Sequence, residues 1–228
     1  MEQLHKRGAG VYLEECPSGR EGEKPLGTFA GMVGEPIIVV GFPRSGTSLT
    51  SGLLNLHGVW TGQTEAPRSS NIKGSFENER IKRIMINRCG RLMIRGRMAE
   101  PCPGLRREIS VALAEEGYQG GPWLMKSPAV YLPALSEYNP IFVKVFRPLE
   151  KILESVRHSN MFSETDDEIT DAINLSFWEM NKLHGFVVRP QHFVSGDFRG
   201  LKAVLDHIGL DFDRKASEAF IDKGLWHF

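Results

Sequence analysis

The sequence has no apolar run near the roughly 20 residues that a membrane-spanning helix requires. Its start, from Met1 to Arg7, has no apolar core of the kind found in a secretion signal. We therefore predict a cytoplasmic protein without a membrane span. Only three cysteines occur, Cys16, Cys89 and Cys102, and their odd number and wide spacing match neither a disulfide framework nor a zinc site. Reduced thiols and no bound metal are the simplest interpretation.

A net charge is also missing, because 28 basic and 28 acidic side chains cancel. We predict no nucleic-acid partner, and the sequence leaves the oligomeric state open. The charge is nevertheless uneven: seven basic residues and no acidic residue lie between Arg80 and Arg97. A solvated helix face explains such a run, and so does the attraction of an anionic ligand.

The most informative segment runs from Pro36 to Leu49. The residues Ile37 to Val40 are apolar without alternation, which is typical of a strand buried on both faces of a parallel sheet. Apolar residues then recur at helical spacing from Leu49. A loop between such a strand and such a helix presents backbone N–H groups and the positive end of the helix dipole, so it favours an anion.

The two glycines of this loop have the spacing of a loop that binds a nucleoside triphosphate, but the residue after the second glycine differs. Gly41 and Gly46 have the expected spacing, whereas Thr47 stands where such a loop has its phosphate-binding lysine. The cation comes earlier, at Arg44. This composition suits one phosphate and its substituent better than a triphosphate with a metal. The alternative is a plain strand–turn–helix junction rich in small residues.

Two more apolar segments end in a cation. The segment Ile141 to Phe146 leads into Arg147, and Trp123 to Met125 leads into Lys126. Parallel sheets bind ligands at the carboxyl ends of their strands, so the cations are expected to share one crevice. Ser155 follows Arg147 by eight residues, about 12 Å along a helix. Taken singly, Arg147 also fits a surface ion-pair partner, Ser155 a solvated helix residue and Lys126 an ordinary strand-end lysine.

These segments resemble a known family. In order and spacing, Gly41 to Ser48, Lys126 to Pro128, and Arg147 with Ser155 resemble the signatures of the sulfotransferases that use 3′-phosphoadenosine 5′-phosphosulfate. The resemblance extends from about Pro36 to the end of the chain, with its middle third weakly matched. It implies this donor as co-substrate and no metal.

The resemblance also implies roles for individual residues. It assigns the 5′-phosphosulfate end of the donor to the first loop, and the 3′-phosphate to Arg147 and Ser155. Lys126 takes the position of a lysine that contacts the transferred sulfonyl group in related glycan sulfotransferases. The first-loop residues concerned are Arg44, Ser45, Gly46, Thr47 and Ser48.

A catalytic base is expected in the segment Asn71 to Glu79, which resembles a stretch of small bacterial members of this superfamily. Glu77 is the candidate, because proton removal assists attack by a hydroxyl and partial desolvation raises the pKa of a carboxylate. The structural alternative is an acid in the first turn of a helix, favoured by the helix dipole. His57 and Glu65 are the other candidates for the base.

The elements alternate between strand and helix, which predicts an α/β three-layer sandwich with a mainly parallel sheet of four to five strands and a P-loop-like nucleotide-binding fold. We predict a flexible N-terminal arm over residues 1–34 and one sulfotransferase-like domain over 35–228. Residues 60–121 are expected to cover the cleft on the acceptor side.

Local signals predict several further elements. A helix is expected from about Asn78 to Leu92, a capping box at Thr165–Glu168, a strand at His192–Ser195, and a last helix capped by Asp213. The resemblance implies an aromatic residue that stacks on adenine near the position of Ser195, and no such residue is evident in this sequence. The terminal segment, residues 225–228, either packs over the nucleotide or plugs the core.

The predicted function is sulfuryl transfer from the donor to an acceptor hydroxyl or amine by in-line displacement. A non-catalytic nucleotide-binding relative of the same fold is one alternative, and an atypical P-loop kinase is the other, although Thr47 argues against the kinase. The acceptor is expected to be a small molecule or a glycan. Sequence does not choose among small alcohol, lipid, peptide and sugar.

Overall fold

The strands that the structure describes form one parallel sheet. The computed structural model describes residues 34–67, 72–92, 96–159, 161–222 and 224. Within these ranges the strands are β1 (Ile37–Val40), β2 (Leu124–Ser127), β3 (Ile141–Val145) and β4 (Phe186–Val188), in the order β2-β1-β3-β4. All three neighbouring pairs are parallel. The predicted α/β fold with a parallel sheet is confirmed.

Helices connect and cover the strands. They are α1 (Thr47–Leu56), α2 (Glu79–Cys89), α3 (Leu105–Glu115), a 3₁₀ helix (Ala129–Leu135), α4 (Leu149–Ser159), α5 (Asp166–Asn181), α6 (Pro190–Val194), α7 (Arg199–His207) and α8 (Arg214–Phe220).

The side chains of the central strand β1 belong to two of the three apolar clusters of the core. Ile38 and Val40 pack with residues of α2, α3 and the 3₁₀ helix, whereas Ile37 and Val39 pack with residues of α1 and α7. Successive side chains of a strand point to opposite faces, so the two clusters lie on the two faces of the sheet. The result is the expected three layers, and it explains why β1 is apolar without alternation.

The strand order places a ligand crevice. The chain proceeds from β1 to β2 on one side and from β3 to β4 on the other, so the topological switch point lies between β1 and β3. Open α/β sheets bind ligands outside the carboxyl ends of the strands at such a point. The loop after β1 contains Arg44, and Phe146 and Arg147 directly follow β3.

The predicted caps are confirmed, and one predicted strand is wrong. Thr165 and Glu168 form a reciprocal capping box on α5, and the Asp213 side chain accepts a hydrogen bond from Ala216 N at the start of α8. The segment expected as a strand, His192–Ser195, instead belongs to α6 and its end. Pro190 explains the difference, because its fixed φ suits the first position of a helix and it has no N–H for a sheet. The strand is the preceding Phe186–Val188.

Some predictions fall on residues outside the described ranges. These are the N-terminal arm up to residue 33, Cys16, Arg95 and the terminal segment 225–228. The described residues belong to one compact unit, Val33–Phe228. Within them, we find no helix that is both long enough and apolar enough to cross a bilayer.

Candidate active site

A cavity of about 460 Å³ opens at the carboxyl ends of β1, β2 and β3. Its wall is assembled from the loop after β1, the segment before α2, α2 itself, the end of β2, α4, α6 and the end of α8. The structure brings eight of the nine predicted site residues to this wall: Arg44, Gly46, Thr47, Ser48, Glu77, Lys126, Arg147 and Ser155. The ninth, Ser45, is fully buried within the same loop.

The loop after β1 has the geometry of an anion-binding turn. Arg44 and Gly46 both adopt left-handed backbone conformations, with φ of 69° and 97°. Gly46 is the N-cap of α1 and supplies no side-chain cap, so the first N–H groups of the helix stay available to a ligand. Gly41 is also required, because a Cβ there would lie 2.7 Å from Ser45 Oγ and 2.8 Å from Thr47 Cγ2.

A buried hydroxyl in this loop has no hydrogen-bond partner. Ser45 Oγ is one of the few buried side-chain oxygens left unsatisfied among the described residues. A buried polar group without a partner is costly, so this hydroxyl is an unfavourable feature of the loop. The free N–H groups at the start of α1 fit an anionic group such as a phosphate.

Two arginines that follow different strands, Arg44 after β1 and Arg147 after β3, contact each other. Arg44 Nε donates to Ser155 Oγ at 3.0 Å, and Arg147 Nη1 donates to the carbonyl oxygen of Arg44 at 3.0 Å. Arg147 is 7% exposed and Ser155 is 3% exposed. Burial lowers the pKa of both guanidinium groups, and the charge of Arg44 lowers the pKa of Arg147 further. This concentrated positive charge is a suitable partner for a phosphate.

The buried Lys126 lies on the other side of the loop. Its side chain is 9% exposed. Its Nζ lies 3.1 Å from Ser48 Oγ, 2.8 Å from the Ser75 carbonyl oxygen and 3.1 Å from Glu77 Oε1. An ammonium group has three protons, so these contacts use all of them. Burial lowers the pKa of Lys126, although the adjacent Glu77 opposes the shift.

Glu77 lies between two lysines. Its Oε1 lies 3.1 Å from Lys126 Nζ and its Oε2 lies 3.1 Å from Lys82 Nζ, and Lys82 in turn contacts Glu65 Oε1 at 2.7 Å. Burial alone would raise the pKa of Glu77, but the charges of Lys126 and Lys82 outweigh it and the pKa lies below its ordinary value. The expected rise in this pKa is therefore wrong for this arrangement. The first-turn acid of α2 is Glu79, because the helix begins there with Asn78 as N-cap.

Aromatic packing fixes the backbone next to Glu77. Phe76 adopts a left-handed conformation with φ of 54°, which is strained for a bulky residue. Its ring lies 6.1 Å from that of Phe220, and both rings pack against Gly52 in α1. A Cβ at Gly52 would lie 2.6 Å from Phe220 Cζ and 2.7 Å from Phe76 Cε2.

Sequence reasoning missed these aromatic residues as well as the role of Lys82. One signal was present: Gly52 stands inside a helical pattern, where glycine is unfavourable unless close packing requires it.

The other two candidate bases differ in position. His57 forms the C-cap of α1, its Nδ1 lies 2.7 Å from the Leu53 carbonyl oxygen, and its ring stacks on Phe212 at 5.6 Å. It does not line the cavity, whereas Glu65 does. Glu65 lies beyond Lys82 as seen from Lys126, so Glu77 is the better placed carboxylate.

Cysteines and metal-binding groups lie outside this arrangement. Cys89 and Cys102 are free, and burial together with Cys102 raises the pKa of Cys89 to about 11. Within the described part of the chain, no three His, Cys, Asp or Glu side chains converge on a common point that could hold a metal ion.

The fold is that of known sulfotransferases. A scan of the sequence against protein-family models finds no match, and a search of curated proteins finds none. The structure is similar to the sulfotransferase STF1 from Mycobacterium tuberculosis H37Rv, with a TM-score of 0.55 and 16% identity over 82% of this chain and 71% of the other. It is also similar to the sulfotransferase domain of the Synechococcus PCC 7002 olefin synthase, with a TM-score of 0.53 and 16% identity over 85% of this chain and 80% of the other.

Proposed function

We propose that this protein is a sulfotransferase that moves the sulfuryl group of 3′-phosphoadenosine 5′-phosphosulfate to an acceptor hydroxyl or amine. One observation carries the proposal: Arg44, the buried Arg147 and the largely buried Lys126 reach one cavity from the carboxyl ends of three neighbouring parallel strands. The similarity to sulfotransferase structures supports the same fold. We further propose that residues 35–228 form the catalytic domain, with 60–121 covering the acceptor side.

The strand order supports one direction for the donor. Lys126 lies on β2 and Arg147 follows β3, on opposite sides of β1 and its loop. Arg147 and Ser155 would then hold the 3′-phosphate at the β3 side, and the loop N–H groups would hold the 5′-phosphate. The sulfuryl group would face Lys126 at the β2 side.

The donor supplies an activated sulfuryl group with a bisphosphate leaving group. A bond forms between the acceptor oxygen and sulfur, the bond between sulfur and the bridging phosphate oxygen breaks, and Glu77 takes the acceptor proton. Arg44, Lys126 and the loop N–H groups stabilise the charge that develops on the leaving oxygen. Positioning by these groups supplies much of the rate enhancement.

Lys126 links donor binding to the strength of the base. Its three protons are all engaged, so a contact with the sulfuryl group requires release of one partner. If Glu77 is released, it loses the strongest of the charges that lower its pKa. Glu77 then becomes a stronger base when the donor is in place, and this compensates for its low pKa in the unliganded arrangement.

Thermal denaturation with two nucleotides tests the proposal. Adenosine 3′,5′-bisphosphate at 100 times its dissociation constant adds about 2.7 kcal/mol to the free energy of unfolding. We expect this stabilisation with the bisphosphate and none with ATP and magnesium. The reverse result would identify a kinase. Stabilisation by the bisphosphate, with no release of it when donor and a panel of alcohols and amines are supplied, would identify a non-catalytic relative.

A further inference from the structure

The β2 end of the cavity has an apolar wall. Five residues from three elements form it: Ile81, Met85 and Ile86 of α2, Met125 of β2, and Tyr131 of the 3₁₀ helix. Four of them, all but Ile86, are buried members of the core cluster on that face of the sheet. Here the cavity therefore exposes the edge of the core itself to a ligand. Binding sites of this composition select apolar groups and use a few polar atoms for orientation.

The charges at this end cancel within the protein. Lys82 is held by Glu65 and Glu77, and Lys126 is held by Glu77. Burial opposes the charge on Lys82, but its two carboxylate partners raise its pKa above the ordinary value. An anionic acceptor would have to displace one of these carboxylates before it could pair with either lysine.

The basic residues that suggested an anionic acceptor lie elsewhere. Arg80 pairs with Glu115 on α3, and Arg88 donates to the Pro103 carbonyl oxygen and lies 3.8 Å from Glu108. Neither residue lines the cavity, and among the described residues of the basic run only Lys82 does. Arg80 and Arg88 thus pair with carboxylates of α3 and do not face the cavity.

One further lysine lines the cavity beside the aromatic pair Phe76 and Phe220. Lys73 Nζ donates to the carbonyl oxygen of Phe220, and it lies 4.7 Å from the centroid of the Phe220 ring. Lys73 is thus held by a backbone carbonyl and an aromatic ring.

We propose that the acceptor is an uncharged alcohol on an apolar body, such as an alkyl or aryl alcohol, which packs against Ile81, Met85, Ile86, Met125 and Tyr131. Its hydroxyl then points to Glu77 and Lys126, the polar pair that borders this wall. This inference rests on the proposed sulfotransferase function. It excludes an acidic sugar and a polyol as preferred acceptors, because neither gains from contact with the apolar wall.

A homologous series of primary alcohols tests the acceptor class. With donor present, kcat/KM should rise about fourfold for each added methylene between butanol and octanol, as expected for burial of that group. The bisphosphate-bound protein should also be stabilised progressively along the series. Methyl glucoside and glucuronic acid serve as the neutral and acidic sugar probes. A larger effect of either sugar, or no dependence of the stabilisation on chain length, would overturn the proposal.

A pair of variants of α2 locates the effect. Ile86→Glu places a charge on the apolar wall, whereas Asn87→Glu places the same charge on the exposed face of the same helix. Ile86→Glu should abolish the dependence of kcat/KM on the length of the alcohol, while the affinity for the bisphosphate stays unchanged. Asn87→Glu should leave both unchanged. An unaltered dependence in Ile86→Glu would contradict the location.

The two proposals fail in different ways. Absence of any stabilisation by the bisphosphate would reject the sulfotransferase function. Stabilisation by the bisphosphate together with a preference for a sugar would reject only the apolar acceptor.

Discussion

Arg44 and Ser155 are 111 residues apart in the sequence and are joined by a 3.0 Å hydrogen bond from Nε to Oγ. The bond ties the loop after β1 to α4, which follows β3. Arg147 strengthens the same connection by donating to the Arg44 carbonyl oxygen. Side chains assigned by resemblance to the two ends of one nucleotide thus already contact each other, and this contact leads to the first prediction.

Replacement of Ser155 should weaken donor binding. Ser155→Ala removes the partner of Arg44 and one proposed contact to the 3′-phosphate. A hydrogen bond to a charged group contributes about 1.5–3 kcal/mol, so we expect bisphosphate affinity to fall roughly 10- to 100-fold. Isothermal titration calorimetry measures the loss. Ser159→Ala, in the same helix but outside the cavity wall, is the control.

Arg147→Ala should discriminate between two nucleotides. Because Arg147 is proposed to hold the 3′-phosphate, affinity for adenosine 3′,5′-bisphosphate should fall much more than affinity for adenosine 5′-phosphate. Titration of both nucleotides with the same variant provides the comparison, and circular dichroism checks that the variant is folded. Equal losses for the two nucleotides would contradict the assignment.

Lys126→Ala should slow turnover more than it weakens binding. On the scale found for lost oxyanion donors, kcat should fall by about two orders of magnitude or more. Donor affinity should fall less, because Lys126 is proposed to act mainly on the reacting group. Steady-state kinetics and calorimetry measure the two quantities. Lys182→Ala, which removes an exposed lysine paired with Glu179, is the control. An unchanged kcat in Lys126→Ala would show that Lys126 takes no part in the mechanism.

The pH dependence should reveal the lysine neighbours of Glu77. Since they hold its pKa below the ordinary value in the enzyme without donor, Glu77 stays ionised to lower pH, and the acid limb of kcat/KM for the donor should lie below the usual glutamate range. Lys82→Gln removes one of these charges and should move the acid limb to higher pH. Arg83→Gln, a neighbouring change on the exposed face of α2, should not. An acid limb that stays in place in Lys82→Gln would argue against Glu77 as the base.

The lowered pKa of Glu77 also makes the stability of the fold depend on pH. A carboxylate with a lowered pKa in the folded state stabilises the fold above its unfolded pKa, and this contribution is lost as the pH falls through the folded pKa. Glu77→Gln should therefore flatten the decline in the free energy of unfolding on the acid side. Chemical denaturation at several pH values measures this change.

Gly52→Ala should damage the site despite the better helix propensity of alanine. The added methyl group would meet Phe76 and Phe220 at under 3 Å, so the rings must shift. We expect a destabilisation of about 1–3 kcal/mol and a lower kcat, because Phe76 fixes the backbone next to Glu77. The double variant Gly52→Ala, Phe220→Ala provides room and should cost less than the sum of the single changes. Strict additivity in this cycle would show that the rings do not collide with the new methyl group.

The positions of the cations could be predicted from sequence because each follows a recognisable apolar strand. Arg44, Lys126 and Arg147 each stand where a parallel strand ends, and such ends gather along one edge of a sheet. The caps Thr165 and Asp213 were equally local signals, since each depends on residues three positions apart. The predicted strand at His192–Ser195 was wrong because a short apolar run does not distinguish a strand from one helical turn.

Interactions between distant segments could not be predicted. The pKa of Glu77 depends on Lys82 from the next helix and on Lys126 from β2, and no spacing in the sequence relates these residues. The packing of Phe220 on Phe76 and Gly52 likewise joins three elements that are far apart in the chain. Glu77, the predicted base, lines the cavity, but sequence reasoning could not weigh its burial against two neighbouring charges.

Lys82 and the apolar acceptor wall belong to the same helix, α2, and this has a mechanical consequence. Ile81 and Ile86 flank Lys82 within little more than one turn, so a rotation or tilt of α2 that accommodates a bulkier molecule also displaces the Lys82 ammonium group from Glu77. The fit of the acceptor against α2 and the pKa of Glu77 would then change together. An acceptor that displaces α2 outwards would therefore meet Glu77 with a higher pKa than an acceptor that leaves the helix in place.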